Sequence, residues 1–97
     1  MLTLLKRIKV EIAPKAQKDL GQVPRRIAEK LQLWVDSVKL KGLDRVRQIS
    51  GYHDEPLKGK RVGQRSIRLN RSYRAIYEVT YGNPIIVQIQ EVTKHDY

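Results

Sequence analysis

The sequence predicts an α+β domain in which two N-terminal helices pack on one face of a small, mostly antiparallel sheet, in the order β-α-α-β-β-β. Three observations predict it. An alternating apolar segment opens the chain, apolar residues then recur at helical period between residues 27 and 38, and three strand-like segments close it. Ninety-seven residues without a repeat, linker or low-complexity segment make one domain, 1–97.

The elements follow in turn. From Leu5 to Ile12, Ile8, Val10 and Ile12 alternate with Arg7, Lys9 and Glu11, the pattern of a half-buried strand. Ala13-Pro14 starts a short helix, since proline is tolerated in a first turn, and the helix ends near Leu20-Gly21. A longer helix opens at Val23-Pro24. Ile27, Leu31, Trp34, Val35 and Val38 form one apolar stripe on it, Lys39 and Lys41 suit its negative end, and Gly42 caps it. A loop is expected from there through Ser50-Gly51. Strands are expected at Arg65–Asn70, Tyr73–Tyr81 and Ile85–Val92, with Gly82-Asn83-Pro84 turning between the last two. The pleat sends Ile67, Leu69, Ile85, Val87 and Ile89 to the helices, leaving Ser66, Arg68, Asn70, Ile86, Gln88 and Gln90 on an open face. Tyr73, Tyr77 and Tyr81 share one parity and are expected mostly to pack, and Trp34 belongs to the core.

Charge points to the partner. The formal net charge is +10, and Lys58, Lys60, Arg61, Arg65, Arg68, Arg71 and Arg74 cluster where no acidic residue stands between Glu55 and Glu78. Like charges on neighbouring strand positions repel, so such a cluster implies a polyanion, whose phosphates it would neutralise with release of counterions. The cluster opens on a lone carboxylate, and the chain ends Lys94-His95-Asp96-Tyr97. These residue types move protons around a phosphate, which suggests RNA and its cleavage. There are no cysteines, which excludes disulfides and zinc–thiolate sites. His53, Asp54 and Glu55 are consecutive and diverge on an extended backbone, so neither a metal nor a cofactor is expected. Lys6, Arg7 and Lys9 interrupt the apolar start Met1-Leu2-Thr3-Leu4-Leu5, so a cytoplasmic protein without a membrane span is expected.

Four segments carry a resemblance that covers essentially the whole chain. Glu55-Pro56-Leu57-Lys58 resembles the segment that supplies the general base in YoeB-type ribosome-dependent mRNA nucleases. In the HigB branch a histidine stands at this glutamate's place, before the same Pro-Leu-Lys-Gly. Gly63-Gln64-Arg65-Ser66-Ile67-Arg68-Leu69-Asn70 is HigB-like. Tyr73-Arg74-Ala75-Ile76-Tyr77 is similar to the strand whose arginine grips the scissile phosphate. Glu91-Val92-Thr93-Lys94-His95 resembles the strand end that carries a catalytic histidine followed by an aromatic residue. Together they resemble the RelE/ParE superfamily of bacterial toxins. The ending differs: HigB-type chains close Asp-Tyr-His and YoeB-type chains His-Tyr, so here either Asp96 or Tyr97 falls at the aromatic position.

The resemblance implies a toxin of a type II toxin–antitoxin system, a metal-independent endoribonuclease that cuts mRNA in the ribosome. Glu55 would be the base that takes the 2′-hydroxyl proton, Arg74 the phosphate grip and His95 the acid for the 5′-oxygen. Tyr97 would stack on a base or hydrogen-bond a phosphate, with Lys58, Lys60, Arg61, Arg65, Arg68 and Arg71 holding RNA. Its partners would be an antitoxin protein, ribosomal RNA and mRNA. Two other functions fit the same composition: a ParE-like toxin that binds DNA gyrase without cutting, and a non-catalytic RNA-binding protein. Neither has a chemical use for Glu55 and His95.

Overall fold

The computed structural model describes residues 7–94. His95 and Tyr97, with Asp96, lie outside the described residues, as does the start of the expected first strand.

Strand β1 (Ile8–Ile12) is followed by helices α1 (Pro14–Leu20) and α2 (Arg25–Lys41). The stripe read from period 3.6 is the buried face of α2: Ile27, Leu31, Trp34, Val35 and Val38 are each at most 5% exposed. Fully burying an aliphatic side chain of this size contributes about 1.5–3 kcal/mol, which makes this face the main anchor of the helix. Gly42, at φ 87°, ends α2 and donates its N–H to Val38. A short helix α3 (Leu43–Arg47) follows where a loop was expected. It buries only Leu43 and Val46, a single i, i+3 pair. One pair carries no period, so burial against the core produces this helix.

The sheet has five strands rather than four. The expected trio becomes β3 (Gln64–Arg68), β4 (Tyr73–Thr80) and β5 (Ile85–Lys94), joined by a two-residue strand β2 (Glu55–Pro56). The strand order is β1-β5-β4-β3-β2, with β1 parallel to β5 and every other pairing antiparallel. This is the α+β architecture expected, enlarged by α3 and β2. Trp34 packs on Tyr77 with ring centroids 5.0 Å apart, and Ile67, Ala75, Val87 and Ile89 complete the layer between helices and sheet. Tyr77 is fully buried and Tyr73 packs against the core, whereas Tyr81 is 67% exposed.

One irregularity governs the faces. Ile76 of β4 is paired with Glu91 while Tyr77 is paired with Ile89, so Gln90 is an extra residue and β5 bulges there. Val87 and Ile89 face the helices before the bulge, and Val92 faces them after it, although strict alternation would have put Glu91 inside. The bulge keeps Glu91 and Thr93 on the open face.

Asp19 at the end of α1 fastens this part of β5. Its Oδ2 accepts the Val92 N–H at 2.9 Å and its Oδ1 accepts Lys15 Nζ at 2.7 Å. Burial opposes the charged form, but the bonds from Lys15 and Val92 outweigh it and hold the carboxyl below its ordinary value of 3.8. A lowered pKa contributes stability that is complete above the unfolded value and lost as pH falls through the folded one. Asp19→Ala is therefore expected to cost about 1–3 kcal/mol at neutral pH, because it orphans the Val92 amide. In urea melts, the gap from wild type should shrink as the pH is taken below 3.8.

Candidate functional site

Rows of residues cross the sheet at right angles to its strands. Glu55, Ser66, Ile76 and Glu91 form one row on the open face, and Arg68, Arg74 and Thr93 form the next. All of these except Arg68, together with Leu57, Arg61 and Lys94, line a groove of about 570 Å³, and Arg68 stands beside it. Ile76, only 5% exposed, supplies an apolar floor.

Arg74 lies at the centre. Its side chain is 12% exposed, and its Nη1 donates to Glu55 Oε1 at 3.1 Å and to Ser66 Oγ at 3.0 Å. Ser66 is itself 1% exposed. A buried hydroxyl behind the guanidinium and a half-exposed carboxylate beside it hold the cation in one orientation. Arg68 sits directly opposite Arg74 on β3. Two guanidinium groups on adjacent strands repel unless an anion lies between or beside them, so the pair is suited to an incoming phosphate. Arg61, from the 3₁₀ turn Gly59–Arg61, spans the groove to Glu91 Oε2 at 3.1 Å.

The remaining sequence candidates are distributed around this centre. Lys58 and Lys60 are exposed on the loop between β2 and β3, and Arg71 is exposed on the β3–β4 turn. Asn70 shapes that turn, its Oδ1 accepting the N–H groups of Ser72 and Tyr73 at 2.7 and 2.8 Å. Arg65 is not brought to the groove. It shares a row with Tyr77 and Ile89 on the helix side, where its Nε donates to Asp54 Oδ1 at 2.6 Å. The open face is also less uniformly cationic than expected. Beyond the bulge, Gln64, Gln88, Gln90 and Glu78 form a hydrogen-bonded amide–carboxylate patch.

Sequence reasoning assigned no role to Ser66, Asp54 or Glu91. Parity does put Ser66 beside Arg68 on the open face, but its burial depends on the strands that flank β3. For Asp54 the only signal was its divergence from Glu55 on an extended backbone: its side chain is 1% exposed because it folds under the sheet to Arg65 and to the Tyr77 hydroxyl, which donates to Asp54 Oδ2 at 2.5 Å. Among the described residues no three of His, Asp or Glu converge as a metal would need, and no helix is long and apolar enough to cross a membrane.

No family model matches the sequence, and no curated protein matches it significantly. The backbone is nevertheless similar to solved toxins. YafQ from E. coli strain BL21(DE3) superposes with TM-score 0.73 at 18% identity, over 93% of this chain and 94% of that one. The YoeB/ParE toxin from Agrobacterium tumefaciens gives 0.70 at 21% identity, over 91% and 99%. A chain of the YoeB–YefM complex from Staphylococcus aureus gives 0.66 at 24% identity, over 93% and 99%. The fold is thus the RelE-like α+β fold of type II toxins, as the sequence motifs implied.

Two predictions follow from the division of faces. Arg68→Gln should weaken binding of a single-stranded oligonucleotide and lower the salt slope of log K by about 0.7, the loss of one phosphate contact. Arg65→Gln should leave that slope unchanged but destabilise the fold by about 2–4 kcal/mol, since it strands the buried Asp54 carboxylate. Burial and the bond to Asp54 also push the Tyr77 hydroxyl from 10.0 up to about 12. A raised pKa contributes stability present in full below the unfolded value and lost as pH rises through the folded one. The stability advantage of wild type over Tyr77→Phe should therefore decline between pH 10 and about 12, which denaturant melts at alkaline pH would measure.

Proposed function

We propose that this chain is the toxin of a type II toxin–antitoxin pair, a cytoplasmic endoribonuclease that cuts mRNA on the translating ribosome without a metal at the chemical step. One observation carries this reading above the fold: the Arg74 guanidinium and the Glu55 carboxylate stand 3.1 Å apart in an open-face groove, next to a second arginine. A gyrase-binding or passive RNA-binding surface has no need of a carboxylate among its phosphate grips. Support for the antitoxin comes from the similar chains, which include YafQ in the E. coli DinJ–YafQ toxin–antitoxin complex.

The chemistry divides among few groups. A phosphate entering the groove replaces Glu55 on Arg74, and the released carboxylate takes the 2′-hydroxyl proton. The 2′-oxygen attacks phosphorus, and the bond to the 5′-oxygen breaks. His95 donates the proton that this leaving oxygen needs, so a 2′,3′-cyclic phosphate and a 5′-hydroxyl result. Arg74 and Arg68 hold the charge that builds on the phosphoryl oxygens. Tyr97 stacks on a base or bonds a phosphate oxygen, while Lys58, Lys60, Arg61 and Arg71 hold flanking RNA. An acidic antitoxin segment occupying the same groove would neutralise it.

Single-turnover cleavage on programmed ribosomes tests this. Glu55→Gln and His95→Gln should each lower the rate by about 10²–10⁴, and Arg74→Ala by about 10²–10³, with ribosome affinity changing far less for the first two. Absence of mRNA cleavage by the wild-type protein on such ribosomes would sink the nuclease reading, whereas wild-type rates from both Glu55→Gln and His95→Gln would remove those two residues from the chemistry.

A further inference from the structure

The strand that carries Glu55 has little to hold it. It is two residues long, lies at the edge of the sheet and contains Pro56, which has no N–H to donate. Among the described residues only β3 pairs with it. The chain enters it through His53 in the left-handed region, at φ 48°, a conformation that a side chain with a Cβ seldom adopts. Both residues of the strand are exposed, and one further ladder bond follows them, from the Leu57 N–H to Gln64 O at 2.9 Å.

Asp54 supplies the missing restraint. The pleat sends neighbouring residues to opposite faces, so Glu55 on the groove side requires Asp54 on the helix side. There its carboxylate is 1% exposed and accepts from Arg65 Nε at 2.6 Å and from the Tyr77 hydroxyl at 2.5 Å. Tyr77 is in turn fixed by the core, being 0% exposed and stacked at a tilt on Trp34. A charge so enclosed cannot leave its partners without losing both bonds, and any one-residue slip of β2 would bring Glu55 inside and Asp54 out. We propose that Asp54 is the positioning residue of the site: its buried bonds to Arg65 and Tyr77 set the register of β2 and thereby hold Glu55 against Arg74. The catalytic part of this rests on Glu55 acting as the base.

Asp54→Asn keeps the shape and removes the charge. If it fails to fold, Asp54→Asn combined with Arg65→Gln removes both charges and keeps polar groups at both positions. The single-turnover rate at saturating ribosomes should fall about 10–100-fold, the effect of a misplacement near 1 Å, with the half-saturating ribosome concentration within about threefold of wild type. In a Glu55→Gln background the same change should alter the rate less than threefold, because a purely structural loss would persist there. A crystal structure of the variant should show β2 displaced and the 3.1 Å contact between Glu55 and Arg74 broken. Wild-type cleavage, an undiminished loss in the Glu55→Gln background, or β2 in place with that contact intact would each overturn the proposal. Wild-type cleavage by Glu55→Gln alone would overturn instead the role of Glu55 as base, and the crystal structure would still decide whether Asp54 positions β2.

Discussion

Two consecutive carboxylates, Asp54 and Glu55, are sent to opposite sides of one sheet, and both halves of the molecule depend on that division. Asp54 passes beneath the sheet to Arg65 and Tyr77, and Tyr77 carries the connection to Trp34 of α2. Glu55 remains above it, against Arg74 and level with Ser66. The helical layer therefore reaches the groove through three contacts, from Trp34 to Tyr77, from Tyr77 to Asp54, and along the backbone to Glu55. Buried ion pairs are weak contributors to stability when compared with apolar replacements, but breaking one is costly, which is what a registering contact requires.

The cations are divided by the same pleat. Clustered in sequence, they look like a single polyanion surface. In space Arg74 lies in the groove with Arg68 beside it on the open face, Arg61 spans the groove to Glu91, and Arg65 is on the far side serving Asp54. Electrostatic attraction over about 8 Å still sums over most of them, so the net charge describes encounter with a polyanion well. It does not describe how each guanidinium is held. Arg68 and Arg74 share a row, and the buried Ser66 hydroxyl orients Arg74.

The β5 bulge does comparable work at the other side of the groove. Without the extra residue Gln90, Glu91 would point into the apolar layer and Val92 into solvent. With it, Asp19 on α1 can accept the Val92 amide, and Glu91 faces Arg61. The groove thus has an acidic side as well as a basic one.

How much was legible in the sequence varied with the range of the forces involved. The α2 stripe, both helix starts, the Gly42 cap and the three long strands were read correctly, because each repeats a local pattern over several residues. The inward set Ile67, Val87 and Ile89 and the open-face position of Arg68 followed from alternation alone. Helix α3 and strand β2 were missed, since five residues and two carry no period and exist through burial or pairing with distant segments. The joining of Arg74, Glu55 and Ser66 required a register between strands 8 and 19 residues apart. The sequence by itself determined the chain's excess of positive charge and the succession of major elements, because these depend on residue type and near neighbours. Only the tertiary structure decided that Arg65 leaves that groove for Asp54 and that β5 shifts its parity at Gln90, because both depend on which distant strand lies alongside.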